Sequence, residues 1–169
     1  MKHTLAYMLR HSRLPDEDGG WVKTSDLCER GFTMQQLLES VANDTKNRFE
    51  LADGGKLIRA RYGHSTMVDL HYEPCNPPMT LYHGTAEKYL DSIRQEGIKP
   101  QNRIYVHLYT EIDGARSVGA RHGKAVVLKV AAAQMANDGF LFYRATDKIW
   151  LTLCVPIEYV SIENDCSVP

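Results

Sequence analysis

No run of apolar residues in this sequence approaches the ~20 that a helix needs to cross a bilayer. The opening Met1-Lys2-His3-Thr4-Leu5-Ala6-Tyr7 lacks the apolar stretch of a secretory signal. A cytoplasmic protein with no membrane partner is therefore expected. Cysteine is scarce: Cys28, Cys75, Cys154 and Cys166 form no C-x-x-C pair and fit no zinc-module spacing. Free thiols in a reducing compartment are the better reading. Cys28 and Cys154 lie in apolar patterns and are expected to be small core residues. Neither sign of charge is in surplus, with 20 basic residues against 21 acidic and a net charge of −1. This argues against a general nucleic-acid binder, which is usually basic overall. A local basic pocket stays open, and 11 of the 20 basic residues are arginine. Arginine favours forked contacts with phosphate and carboxylate. G-x-G-x-x-G and G-x-x-x-x-G-K-[ST] are both missing, so there is no Rossmann fingerprint and no P-loop. Internal repeats and low-complexity tracts are also absent.

What is present is enough for a core. With 169 residues and 43 % apolar content, the chain can build one compact domain or two small lobes. Pro74, Pro77 and Pro78 interrupt any helix or central strand and mark a linker over Glu73–Pro78. The expected lobes are residues 1–73 and 79–169. In the first, a helix over Thr4–His11 precedes a polar loop, a short strand at Trp21–Lys23 and a helix from Thr24 to Arg30. Thr33 then caps a helix whose buried stripe is Leu37, Leu38 and Val41. A hairpin follows, with strands at Arg48–Leu51 and Lys56–Tyr62 around Asp53-Gly54-Gly55. This order is that of a winged helix. The second lobe reads as strands Thr80–His83, Ile104–Leu108, Ala125–Val130, Phe140–Tyr143, Ile149–Val155 and Tyr159–Glu163. Helices are expected over Ala86–Glu96 and Ile112–Arg121, with a helical turn at Ala132–Ala136. The fold class is α+β.

Two segments stand out in the second lobe, Leu81-Tyr82-His83-Gly84-Thr85 and Arg103-Ile104-Tyr105-Val106-His107-Leu108. Each sets a histidine into an apolar strand. Gly84 would let a ligand approach the backbone beside His83. Two imidazoles and a guanidinium on neighbouring strands suit a phosphate- and ribose-bearing ligand. A buried neutral histidine satisfied by a carbonyl explains either one equally well. Metal binding is not expected, because no further ligand lies at suitable spacing. In the first lobe, Arg10-His11 complements a helix C-terminus or forms an electrostatic face. Arg48 alone reads as a solvated strand end. Arg59 and Arg61 share a face and are expected to pair with acids such as Glu50 across the hairpin. Gly63-His64-Ser65 either closes a ligand pocket or turns the chain. Trp150 is read as core; Phe140, Phe142 and Tyr143 could stack on an adenine but are more simply packed.

Together these residues resemble the RNA 2′-phosphotransferase family, the KptA-type tRNA 2′-phosphotransferases. The likeness runs through Leu9-Arg10-His11, Gly20-Trp21-Val22, Arg48-Phe49, Ile58-Arg59-Ala60 and Gly63-His64-Ser65. It continues through Leu81-Tyr82-His83-Gly84-Thr85, Arg103, Val106-His107-Leu108, Val118-Gly119-Ala120-Arg121-His122-Gly123 and Trp150-Leu151-Thr152. The resemblance implies a winged-helix lobe followed by an ADP-ribosyltransferase-like lobe, and a cleft between them. It implies an enzyme that uses NAD⁺ as co-substrate and needs no metal. An internal RNA 2′-phosphate, such as one left at a tRNA splice junction, attacks C1″ of the nicotinamide ribose. The 2″-hydroxyl then attacks phosphorus, giving 2′-OH RNA, nicotinamide and ADP-ribose 1″,2″-cyclic phosphate.

The family's essential quartet falls on Arg10, His11, Arg48 and Arg103. Its NAD⁺-binding positions fall on His83, Gly84, Thr85, His107, Leu108 and Tyr109. Two departures stand out: Tyr109 replaces a usual Ser, and Tyr62 a usual Gln. A monomer is expected. Two rival readings keep part of the pattern: an ADP-ribosyltransferase that caps terminal RNA or DNA phosphates, and a non-enzymatic winged-helix regulator. The second needs a basic recognition helix, yet the helix ending at Ala42 holds no Lys or Arg.

Overall fold

The architecture, described from a computed structural model that covers residues 4–15 and 17–163, is α+β. Cys166 lies outside the described residues. The chain divides into two units. The first takes residues 1–72 together with Asn102–Ile104, and the second takes the rest. The short return of 102–104 was not expected from the position of the prolines, and it carries Arg103 into the first unit.

In the first unit, helix α1 spans Leu5–His11, and the Thr4 side chain accepts from the Tyr7 amide at its start. Strand β1 is Val22–Lys23, and helix α2 is Thr24–Glu29. Helix α3, Met34–Ala42, begins in a full capping box between Thr33 and Gln36. Strands β2 (Phe49–Ala52) and β3 (Leu57–Ala60) form the hairpin, with β1 on the other side of β3. All pairs are antiparallel. Leu5, Leu9, Leu27, Leu37, Phe49 and Ile58 close the core. Leu38 does not join it. It is exposed, because only Leu37 and the half-buried Val41 lie on the inward face of α3. Strand β3 stops at Ala60, and the chain turns out of the sheet through Arg61 to Ser65.

The second unit is built on a six-stranded antiparallel sheet in the order β7-β8-β5-β4-β6-β9. The strands are β4 (Leu81–Ala86), β5 (Val106–Tyr109), β6 (Ala125–Val130), β7 (Tyr143–Arg144), β8 (Ile149–Thr152) and β9 (Val160–Ile162). Helix α4, Leu90–Glu96, follows a 3-10 turn and ends at Gly97; α5 is Ile112–Gly119 and α6 is Ala132–Asn137. Leu81, Leu108, Leu128, Val130, Met135 and Phe142 fill the core on one side of the sheet. Helix α5 packs on β4 over the other, and Gly84 explains how. A β-carbon there would stand 1.7 Å from the Ala115 carbonyl oxygen. Gly119 likewise lies against the Thr85 backbone.

Cys154 is exposed rather than buried, since it follows the end of β8. Cys28 is half-buried, and Cys75 is exposed. Among the described residues, no helix is long and apolar enough to cross a membrane, and no group of His, Cys, Asp or Glu is placed to hold a metal ion.

Candidate active site

The first unit gathers cations around the C-terminal end of α1. Arg10 and His11 occupy its last turn. The segment Tyr62–Thr66 runs beside them. Its Ser65 amide donates to the Arg10 carbonyl at 3.0 Å, and Ser65 Oγ lies 2.8 Å from His11 Nδ1. The Arg10 guanidinium lies over the Tyr62 ring, 4.9 Å from its centroid. Gly63, with φ of 91°, lets the guanidinium lie close, since a β-carbon there would be 3.1 Å from Arg10 Cζ and Nε. The carbonyl of His64 accepts from the Ile104 amide at 3.2 Å, which anchors the turn that carries Arg103.

Three guanidiniums and an imidazole therefore share one electrostatic neighbourhood. Burial pushes Arg10 below its ordinary value, and Arg103 and Arg48 push the same way, against a favourable contribution from Tyr62. His11 is lowered first by burial and then by Arg10 and Arg103. His64 is the extreme case. It is 5 % exposed, and burial, with Arg10, His11 and Arg59 beside it, lowers it to about 4. It is neutral at physiological pH.

Arg10 Nε and Nη2 form the side of the fork that grips two oxygens of one anion. Both atoms are enclosed and find no hydrogen-bond acceptor among the described residues, and the same holds for His64 Nδ1. An enclosed guanidinium without an acceptor is costly, and an arriving anion offsets that cost. Arg48 differs from the solvated side chain that its position suggested. Its Nε donates to Asp44 Oδ1 at 2.7 Å, and the Asp44 carboxyl also accepts from the Arg48 and Phe49 amides. Burial pushes the Asp44 carboxyl up, yet those bonds outweigh it and hold it below the usual range. One edge of Arg48 is thus held by protein. Asp44 went unread in the sequence because the two residues, four apart, stand on an irregular turn after α3, where that spacing does not by itself pair side chains as it does on a helix.

Arg59 and Arg61 are not part of this group. Both pair with Glu50, as the hairpin register places Arg59 opposite it. Arg59 also lies over the Trp21 ring and donates to the Gly19 carbonyl.

The second unit holds the remaining candidates. His83 Nδ1 lies 3.1 Å from the His107 carbonyl, and His107 Nδ1 lies 3.0 Å from the Tyr105 carbonyl. A carbonyl can only accept, so each Nδ1 carries a proton. In its neutral form each ring then presents an acceptor at Nε2, as a ribose hydroxyl requires. Strand alternation sends His83 to the face of Leu81 and His107 to the face of Tyr109. The two rings leave opposite sides of the sheet and meet through backbone.

Three expectations change here. The room at Gly84 belongs to α5, not to a ligand. Leu108 is fully buried in the core, on the same face as Val106, so its side chain is not available to a ligand. Arg103 stands on the turn before β5 rather than on a strand. Thr85 is buried beside α5, and Tyr109 is half-buried against Gly114. Phe142 is buried in the core, while Tyr143 and Phe140 pack on Tyr105 and Tyr159.

Residues 1–153 match the RNA 2′-phosphotransferase, Tpt1/KptA family. The chain belongs to this family. A relative named "Probable RNA 2'-phosphotransferase" from Pectobacterium carotovorum subsp. carotovorum is 42 % identical over 167 residues, covering 92 % of this chain and 90 % of the relative. Relatives of the same name from Agrobacterium fabrum and Streptomyces coelicolor are each 41 % identical, covering 96 % and 91 % of this chain and 93 % and 91 % of their own lengths. In this member of the RNA 2′-phosphotransferase family, the cluster at the end of α1 is the part of the structure whose chemistry suits a phosphate.

Proposed function

We propose that the protein removes an internal 2′-phosphate from RNA by passing it to the ADP-ribose of NAD⁺. The observation that carries this reading is the enclosed Nε/Nη2 edge of Arg10, which meets no acceptor among the described residues, beside His11, Arg48 and Arg103. A phosphate monoester carries about two negative charges near neutral pH. Arg10 would hold it by the fork, and Arg103 and the open side of Arg48 would fix the remaining oxygens. Held so, one oxygen can be aimed at C1″, which converts an encounter into an oriented attack.

We read the first unit as a winged helix and the second as an ADP-ribosyltransferase-like lobe. NAD⁺ supplies a cationic leaving group and the 2″-hydroxyl that later receives phosphorus. Of the two histidines, which leave opposite sides of the sheet, His83 would accept from a ribose hydroxyl through Nε2. In the second transfer the arginines would stabilise charge on the phosphoryl oxygens. His11 would protonate the departing RNA 2′-oxygen. Its lowered value leaves it neutral near pH 7 in the free protein, and a bound dianion would raise it towards the charged form. The products would be 2′-OH RNA, nicotinamide and ADP-ribose 1″,2″-cyclic phosphate.

The test is to incubate the protein with NAD⁺ and an oligonucleotide bearing one internal 2′-phosphate. NAD⁺-dependent conversion to 2′-OH is the expected result. A final product that keeps both phosphate and ADP-ribose would indicate an ADP-ribosyltransferase that stops after the first step. No turnover, together with tight duplex-DNA binding, would indicate a regulator.

A further inference from the structure

We propose that Ser65 is the positioning residue of His11: its hydroxyl accepts from Nδ1–H and so makes Nε2 the atom that exchanges a proton with substrate. The inference rests on the reading that His11 acts in the second transfer. It starts from geometry. Ser65 Oγ and His11 Nδ1 are 2.8 Å apart although the residues are far apart in sequence. The serine is held independently of the imidazole. Its amide donates to the Arg10 carbonyl, and the Thr66 hydroxyl reaches the same oxygen at 3.5 Å. The carbonyl before it, that of His64, is fixed by the Ile104 amide. One short segment thus sets Arg10, His11 and the turn of Arg103 in register with one another.

A hydroxyl can donate or accept, so the contact alone leaves two tautomers of His11. The chemistry selects between them. As a general acid, His11 begins as an imidazolium, with both nitrogens protonated. As the ribose 2″-oxygen bonds phosphorus and loses its proton to solvent, His11 gives the Nε2 proton to the RNA 2′-oxygen, whose P–O bond breaks. It then remains neutral with Nδ1–H in place. Ser65 can accept from Nδ1–H before and after that transfer, so the ring need not turn. The charged groups around the imidazole are Arg10 and Arg103, both of which disfavour its protonation; His64 lies within electrostatic reach and is itself neutral. The Tyr7 ring packs on the other side, with centroids 5.4 Å apart. Among the described residues no carboxylate acts on His11 to oppose the arginines, so the Ser65 hydroxyl favours the imidazolium where little else among them does.

Ser65→Ala, Ser65→Thr and His11→Ala answer this, using the full chain labelled with ¹⁵N at histidine. In the wild type, His11 is expected to show protonated Nδ1 and an acceptor-type Nε2. Ser65→Ala should bring it to the mixed tautomers of a free imidazole and move its titration to lower pH. Turnover should fall by on the order of 10- to 100-fold with little change in KM, since general acid catalysis is worth about 10²–10⁴ in all. RNA still carrying phosphate and ADP-ribose should accumulate. Ser65→Thr, which keeps the hydroxyl, should restore most of the rate and the tautomer. Unchanged tautomer and titration in Ser65→Ala would overturn the proposal, as would a loss confined to KM. Full turnover in His11→Ala would instead overturn the role given to His11, while the tautomer measurement would still judge the hold of Ser65 upon it.

Discussion

At Arg10 the guanidinium is committed before any ligand arrives. Gly63 and the Tyr62 ring fix its plane, and the fork edge meets no acceptor among the described residues. Lysine cannot replace that shape, because an ammonium is a point charge on a flexible stem. Arg10→Lys is expected to lower kcat/KM for 2′-phosphate removal by about 100-fold or more, measured against the wild type under identical NAD⁺. His64 offers a different test. Its folded value of about 4 lies below the unfolded 6.5. Acid therefore protonates the unfolded chain first. The stabilisation is complete above pH about 6.5 and is lost as the pH falls towards 4, an effect on the order of 3 kcal/mol. Urea midpoints at pH 7 and pH 5 should differ accordingly, and His64→Gln should narrow that difference. The motif Gly63-His64-Ser65 was legible as unusual, but its two readings were open. A turn and a ligand wall look alike until the partners of each backbone group are known.

Among the elements, the close approach of α5 to β4 is the contact with least tolerance. Gly84→Ala would place a methyl carbon inside the van der Waals shell of the Ala115 carbonyl, so helix and strand must separate. A loss of about 3 kcal/mol is expected, seen as a lower thermal midpoint, even though the substitution is small. The sequence showed the glycine inside an apolar strand and predicted close approach. It assigned the approach to a ligand because a helix arriving from residues 112–119 leaves no mark near residue 84. Helix α3 shows the opposite case. The Thr33 cap, which the structure completes with Gln36 as a capping box, follows from local chemistry and was readable at once. The inclusion of Leu38 in its buried stripe was not, because how much of a stripe is covered depends on the neighbours.

For the molecule as a whole, a net charge of −1 means that RNA cannot be held by a broad cationic field. On the proposed function, affinity for the 2′-phosphate comes from the local group of Arg10, Arg48 and Arg103. An oligonucleotide with one 2′-phosphate is expected to bind at least about 10-fold more tightly than its 2′-OH counterpart in fluorescence anisotropy at moderate salt. Equal affinities would contradict a local phosphate grip.

The sequence by itself determined the α+β class, the hairpin with its Glu50 pairs, and the residue types from which the family likeness follows. These depend on period, turn chemistry and composition, which act over a few residues. Tertiary structure decided the rest. It returned Asn102–Ile104 to the first unit, set Ser65 on His11, clamped Arg48 with Asp44 and filled the space at Gly84 with a helix. Apart from the Asp44–Arg48 pair, four residues apart on an irregular turn, each joins segments whose separation along the chain carries no local signal, fixed only when backbone donors and acceptors find their partners in the folded chain.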